Sequence, residues 1–550
     1  MSTRRWNGWG DEAFSLALPP QGTTFLETRI GEARPLPDAT LDTVCARVPA
    51  SRLSLTPGLE PLVRTDPETR VRHARGQSLP DWLALRSGEL GRVPDGVAFP
   101  NSAEDVRRLM DYAREHPVQL IPYGGGTSVA GHINPGDGEA PVLTVSLSRM
   151  DRLLDLDRDS QIATFGAGTP GPLVEAQLRA HGCTLGHFPQ SFELSTLGGW
   201  VAARSSGQQS LRYGRIEQLF AGGRVETLAG TLSIPTFPAS SAGPDLRELV
   251  LGSEGRLGIL TEAKVRVSRL PEQEGFYVVV FPSWQQARDA CRELVQQRVP
   301  LSMLRLSNAT ETETQLALAG HPRMIHLLER YLSARGAAEG KCMMTFGVTG
   351  NARPCRQTLA QARAMSRRFG GVYLGAALGR KWAEKRFTMP YLRDALWQMG
   401  YVVDTLETAT DWSNVDRLMN RIEDTLRSGL APDHERNHVF THLSHFYGEG
   451  CSIYTTYVFR VADSYEETLD RWKRLKHAAS DCIVHNGGTI SHQHGVGKDH
   501  APYLPVEKGP LGMTALDALL RHFDPDQRLN PGTLLGQSQA LAVTEEAAQP

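Results

Sequence analysis

Hydrophobic and polar positions along the chain switch between two periods, and the switches predict its elements. Up to about residue 88 the pattern is weak and rich in Pro and Arg, which predicts an N-terminal extension with a few short helices. Beyond it, Ser102-Ala103-Glu104-Asp105 resembles a capping box, and Val106, Leu109, Met110 and Ala113 follow at helical spacing. Val118 to Ile121 is a short apolar strand that runs into a glycine turn, and Val142 to Leu147 reads as the next strand. Ile162 to Phe165 predicts a strand, Leu173, Val174 and Leu178 a helix, and a further helix is predicted from Thr196 onward. Leu249 to Gly252 and Ile259 to Val267 predict strands on either side of Gly255 and Gly258.

The character changes after Arg269-Leu270-Pro271, where Phe276 to Phe281 reads as a buried strand and Ala287, Ala290, Cys291 and Leu294 as one helix face. Ser413 is expected to cap a helix carrying Val415, Leu418, Met419, Ile422 and Leu426. Ser464-Tyr465-Glu466-Glu467 is a second capping box, and its helix ends near Gly487-Gly488. His434, His438, His442 and His445 have helical spacing and are read as a helix face, not a metal site. The fold class is therefore α+β. The units are an extension (1–88), a first domain (89–270), a second α+β domain (271–485), a segment returning to the site (486–540) and a flexible tail (541–550).

Composition narrows the function classes. In 550 residues, Lys+Arg 59 against Asp+Glu 61 leaves a net charge of -2, so nothing draws the whole chain to nucleic acid. Seven scattered cysteines without a C-x-x-C pair read as reduced thiols. With no secretory or Ser-Lys-Leu signal visible, a cytoplasmic location is expected. A peripheral membrane contact is left open.

Pro122-Tyr123-Gly124-Gly125-Gly126-Thr127-Ser128 frees backbone N–H groups to point into one concavity, the form of a pyrophosphate nest. Alone it is equally a plain turn. Three further segments follow: Pro189-Gln190-Ser191-Phe192-Glu193-Leu194-Ser195-Thr196-Leu197-Gly198-Gly199-Trp200, Ala203-Arg204-Ser205-Ser206-Gly207, and Gly252-Ser253-Glu254-Gly255-Arg256-Leu257-Gly258-Ile259. In this order they resemble the PCMH-type FAD-binding domain of the vanillyl-alcohol oxidase flavoprotein superfamily. That resemblance implies a two-subdomain FAD cradle facing a cap domain, with the cofactor contacts drawn from these four segments. Because the turn holds no histidine and His132 comes only later, the FAD is expected to be noncovalent.

Trp6-Asn7-Gly8-Trp9-Gly10, Tyr391-Leu392-Arg393-Asp394, Glu407-Thr408-Ala409-Thr410-Asp411-Trp412, Gly450-Cys451-Ser452-Ile453-Tyr454 and Ser491-His492-Gln493-His494-Gly495-Val496-Gly497-Lys498 resemble the alkylglycerone-phosphate synthase family. The resemblance implies exchange of the acyl group of an acyl-dihydroxyacetone phosphate for a long-chain alcohol, with a homodimer common. It casts Tyr454 in proton exchange, Arg393 on the phosphate, and His492 and His494 in charge stabilisation or proton transfer. Gln493 stands where the family usually has a middle histidine, and an amide cannot titrate. Arg528-Leu529-Asn530-Pro531-Gly532 looks closer to FAD-dependent 2-hydroxy-acid dehydrogenases, the alternative reading. Some of those bind a divalent metal through histidines and a glutamate. Here Tyr454 and Gln493 occupy two such positions beside His442, so no catalytic metal is expected.

Overall fold

The computed structural model describes residues 4–320 and 322–536; the 541–550 tail lies outside them. Two sheets build the first domain. The strands Val63–Arg64, Gly96–Ala98, Val142–Ser146 and Gln119–Tyr123 form a four-stranded sheet in that order, parallel except at the Val63 edge. The second sheet is antiparallel, in the order Leu153–Asp157, Ile162–Gly166, Ile259–Arg266, Phe220–Thr227 and Gly230–Ile234. The Ala103–Glu115 helix starts as the pattern predicts, with Ser102 Oγ accepting from Asp105 N. The box is not reciprocal, because the Asp105 carboxylate accepts from Asn101 N instead.

The second domain is a seven-stranded antiparallel sheet in the order Val372–Gly375, Gln273–Phe281, Cys342–Gly350, Met303–Ser307, His438–Phe446, Gly450–Arg460 and Tyr401–Asp411. Its apolar face is covered by the helices Trp284–Gln296, Val415–Ser428 and Tyr465–His485, so that Phe281, Leu294, Leu418, Ile453 and Ala479 share one core. No helix among the described residues is long and apolar enough to cross a membrane.

Three expectations are corrected. Leu249 to Gly252 is not a strand, since Arg247–Val250 is a short helix whose end turns the chain into Gly252. Asn414, not Ser413, flanks the Val415–Ser428 helix, and it makes no capping bond. The histidine run is a strand, His438–Phe446, with His434 outside it in a left-handed turn. A period of four fits both a helix face and one side of a strand, so spacing could not separate them.

The N-terminal extension is folded between the domains. Trp9, Leu79 and Trp82 sit in the second domain's core. Trp9 N donates to Asp394 Oδ2 (3.2 Å), whose carboxylate also pairs with Arg86 (2.7 Å) and Arg5 (3.0 Å). The C-terminal segment clamps both units. Leu120 N donates to Arg528 O and Asn530 N to Leu120 O, extending the strand that enters the glycine turn. The loop at 489–492 runs along the exposed edge of the second sheet, with Thr489 N on Ala409 O and His492 N on Glu407 O.

Candidate active site

The four glycine-bearing segments meet at one place. A Cβ on Gly125 would lie 1.9 Å from Leu194 O, so only glycine lets the turn close on the Gln190 segment. Gly255, at φ +78°, approaches Pro122 in the same way, with 2.7 Å left for a Cβ. Thr196 caps the Leu197–Ala203 helix, and Ser195 Oγ accepts from Trp200 Nε1 (2.7 Å). The N–H groups of Gly124, Gly125, Gly126 and Thr127 have no partner within the described residues. Orphaned donors beside hydroxyls in a concave turn suit a pyrophosphate.

Other cradle residues have different tasks. Gln190 Nε2 donates to Arg386 O (2.7 Å) and Glu193 accepts from Tyr391 OH (2.9 Å), so both tie the cradle to the cap. The Arg204 guanidinium turns outward to Glu248 (2.9 Å). Ser205 Oγ meets His187 Nε2 (3.1 Å) and Ser206 Oγ meets His445 Nδ1 (3.0 Å). Ser191, Gly198, Gly199, Ala203, Gly258 and Ile259 lie in the packed turns and element ends around them.

Glu254 joins the cradle to the histidine loop. Its carboxylate accepts from Val496 N (2.5 Å) and Gly497 N (2.7 Å) and lies 3.2 Å from His132 Nε2, while His132 Nδ1 meets Ser128 Oγ (2.5 Å). Burial alone would lower His132, but Glu254 outweighs it and the histidine is raised. The link is therefore complete below the unfolded value of about 6.5 and is lost as pH rises through the folded one. FAD release from the wild type is expected to quicken across that window, and from His132→Gln to stay flat; a flat wild-type profile by flavin fluorescence would contradict the link.

Cross-strand register builds the reaction side. His442 pairs with Tyr454, and Tyr454 pairs with Glu407, which sets the three in one row across adjacent strands. The Tyr454 ring stacks on His442 (4.7 Å) and stands edge-on to His494 (5.9 Å). Its hydroxyl donates to Thr405 Oγ1 (3.2 Å), and burial pushes the phenol up to about 12. Glu311 Oε1 lies 3.0 Å from His442 Nδ1 and 2.7 Å from Arg305, which together hold that buried carboxyl below the usual range. Arg393 stacks over Trp82 at 4.2 Å and donates to Gln77 O (2.7 Å), with no carboxylate pairing its guanidinium among the described residues.

Glu407 is the hub. It is fully buried and held below the usual carboxylate range by His492, His445 and His494 against the penalty of burial. Oε1 accepts from His492 Nδ1 (3.1 Å) and Ser444 Oγ (3.3 Å); Oε2 accepts from Gln493 Nε2 (2.6 Å). A shift of register between Leu443 and Phe446 turns Ser444 and His445 toward it. Nitrogens of His445 and His492 and an oxygen of Glu407 lie within 4.8 Å of one another, close enough to surround an ion. Their hydrogen bonds oppose that. Arg215 Nη1 lies 3.0 Å from His492 Nε2 and can only donate, so the ring proton sits on Nδ1, where a metal would need the lone pair.

Comparison with known proteins places this geometry. The FAD binding domain model matches residues 94–233, and the model for the C-terminal domain of FAD linked oxidases matches residues 270–534. Alkyldihydroxyacetonephosphate synthase of Dictyostelium discoideum is 30% identical over 96% of this chain and 93% of its own. The chain belongs to the alkyldihydroxyacetonephosphate synthase family. The Trypanosoma brucei brucei synthase is 29% identical over 99% of this chain and 94% of its own. A solved alkyldihydroxyacetonephosphate synthase structure superposes with a TM-score of 0.82 at 27% identity, covering 96% of this chain and 98% of that one.

The fold is thus that of a PCMH-type FAD-binding domain with a cap, and FAD is the cofactor. The Gly124–Ser128 turn with Thr196 and its helix would hold the pyrophosphate. Arg215, Tyr447, Arg305 and Glu311 were not singled out from sequence, because each depends on partners far away along the chain. Arg215, for example, reaches His492 across 277 positions.

Proposed function

We propose that this chain is an FAD-dependent synthase that exchanges the acyl group of an acyl-dihydroxyacetone phosphate for a fatty alcohol. The observation that carries the reading is Tyr454, a buried neutral phenol stacked on His442, facing His494 and electrostatically coupled to the Arg393 guanidinium, which no carboxylate pairs among the described residues. FAD, when bound, would supply an electron-accepting ring that allows the oxygen substituent on the substrate carbon to be exchanged. Arg393 binds the phosphate, and Trp82 and Gln77 hold its guanidinium in one plane. Tyr454 and His494 move a proton to and from the carbon next to the ketone. The substrate's carbon–oxygen bond to the acyl group breaks and the fatty acid leaves as a carboxylate. A new bond forms to the alcohol oxygen, whose proton is released, so no net electrons are transferred.

The FAD is held without a covalent bond. Both nitrogens of His132 face partners, Ser128 and Glu254, which supports this. Denaturing the holoprotein is expected to release all flavin into the supernatant, and yellow colour retained in the precipitate would contradict it. Gln493, turned onto Glu407, gives no ligand for the metal site of the 2-hydroxy-acid reading. A cytoplasmic enzyme, a homodimer and peripheral contact with the membrane bearing the lipid substrates complete the proposal. Met324, Leu327 and Tyr331, exposed along one side of the Pro322–Ala334 helix, support the membrane contact. Flotation with lipid vesicles, light scattering and fractionation test the three.

A further inference from the structure

The middle residue of the histidine loop has an assignable task. The Gln493 amide faces Glu407 Oε2 at 2.6 Å. An ionised carboxylate only accepts hydrogen bonds, so the nitrogen of the amide is the atom turned toward it. His494 Nε2 lies 3.7 Å from that same oxygen, beyond hydrogen-bonding distance, and its ring stands edge-on to Tyr454. The other oxygen is taken by His492, whose Nε2 is in turn held by Tyr447 OH (2.7 Å) and Arg215 (3.0 Å). Each oxygen of Glu407 thus has its own hydrogen-bond donor, and His494 is the one imidazole of the loop that Glu407 reaches through charge alone, without a hydrogen bond.

We propose that Gln493 is a positioning residue: by capping Glu407 with a donor that brings no titratable proton, it leaves His494 free to exchange a proton with Tyr454. This rests on the reading of Tyr454 and His494 as the proton-moving pair. An imidazole N–H in place of the amide would cap the same oxygen. The departure from three histidines therefore keeps the geometry and removes one ionisation from the site. The groups facing His494 are Glu407 and Asp404 from the edge strand, Tyr454 from the strand beside it, Lys476 from the Tyr465–His485 helix, and His492 and His500 from its own segment. Those facing Glu407 are His445, His492 and His494, with Tyr454 opposite on the neighbouring strand and His442, Tyr447 and Arg215 also coupled to it. Exchanging the amide at 493 for an apolar group adds and deletes no charge among them.

The test uses the full-length, FAD-loaded protein. Hydrogen–deuterium exchange at the histidine ring carbons, followed by mass spectrometry across pH without substrate, gives a titration midpoint for each histidine. In Gln493→Leu the uncapped oxygen draws a proton onto His494, whose midpoint is expected to rise by about one unit or more. Gln493→His is expected to return it to the wild-type value, and Glu407→Gln to move it down. In turnover, Gln493→Leu is expected to lower kcat about tenfold or more with KM nearly unchanged, and Gln493→His to restore kcat while adding one ionisation to the pH profile. Should the leucine variant not fold, Gln493→Met carries the same expectation. An unchanged His494 midpoint in either apolar variant, or a Gln493→His protein that keeps its FAD but not its activity, would overturn the proposal. A wild type that forms no ether product would sink the synthase reading alone, since the exchange measurement needs no turnover.

Discussion

Tyr454→Phe is expected to lower ether formation by about 10²- to 10⁴-fold, the range lost when a positioned proton donor is removed. FAD content should not change. The ring keeps its stacking on His442, and only the hydrogen bond to Thr405 is lost, about 1 kcal/mol of stability. Because burial holds the phenol neutral to about pH 12, the wild-type loss of activity at moderately alkaline pH should come from other groups. Flavin absorbance and rapid-quench turnover on one sample separate the effects. Normal turnover in the variant would remove Tyr454 from the mechanism.

Arg393→Met is expected to raise KM for the phosphorylated substrate about 100-fold, the equivalent of roughly 3 kcal/mol from charge-assisted hydrogen bonds to phosphate. Methionine still covers Trp82, so packing of the extension against the cap survives. A substrate analogue without the phosphate should bind both forms equally. If KM did not change, Arg393 would serve only to bridge Trp82 and Gln77, and the phosphate would have to be sought at another cation.

The cradle was legible because its chemistry is local. Three glycines after an apolar strand state a close backbone approach, and the order of the four segments identified what they approach. The cap's core was legible for a similar reason: Phe276 to Phe281 and the Val415 helix carry strong periodicity. What could not be read was pairing across long separations. Glu407 lay in a quoted motif without a role, since a lone glutamate in an alternating stretch gives no sign of the loop 85 positions later that caps it. The same holds for Glu254, whose bonds to the loop at Val496 and Gly497 span 242 and 243 positions and leave no local sign. The extension looked like an appendage because its short, Pro-rich helices have little periodicity of their own. Its contacts come from single large residues, Trp9 and Trp82, and from Asp394 on the far side of the sequence.

The reaction type is decided most directly by one paired measurement on the purified holoprotein. Acyl-dihydroxyacetone phosphate and a labelled fatty alcohol are supplied in one vessel, and D-2-hydroxy acids with an artificial electron acceptor in another. Labelled ether product with release of one fatty acid per turnover, and no acceptor reduction, is the expected result. Acceptor reduction without ether product would contradict it.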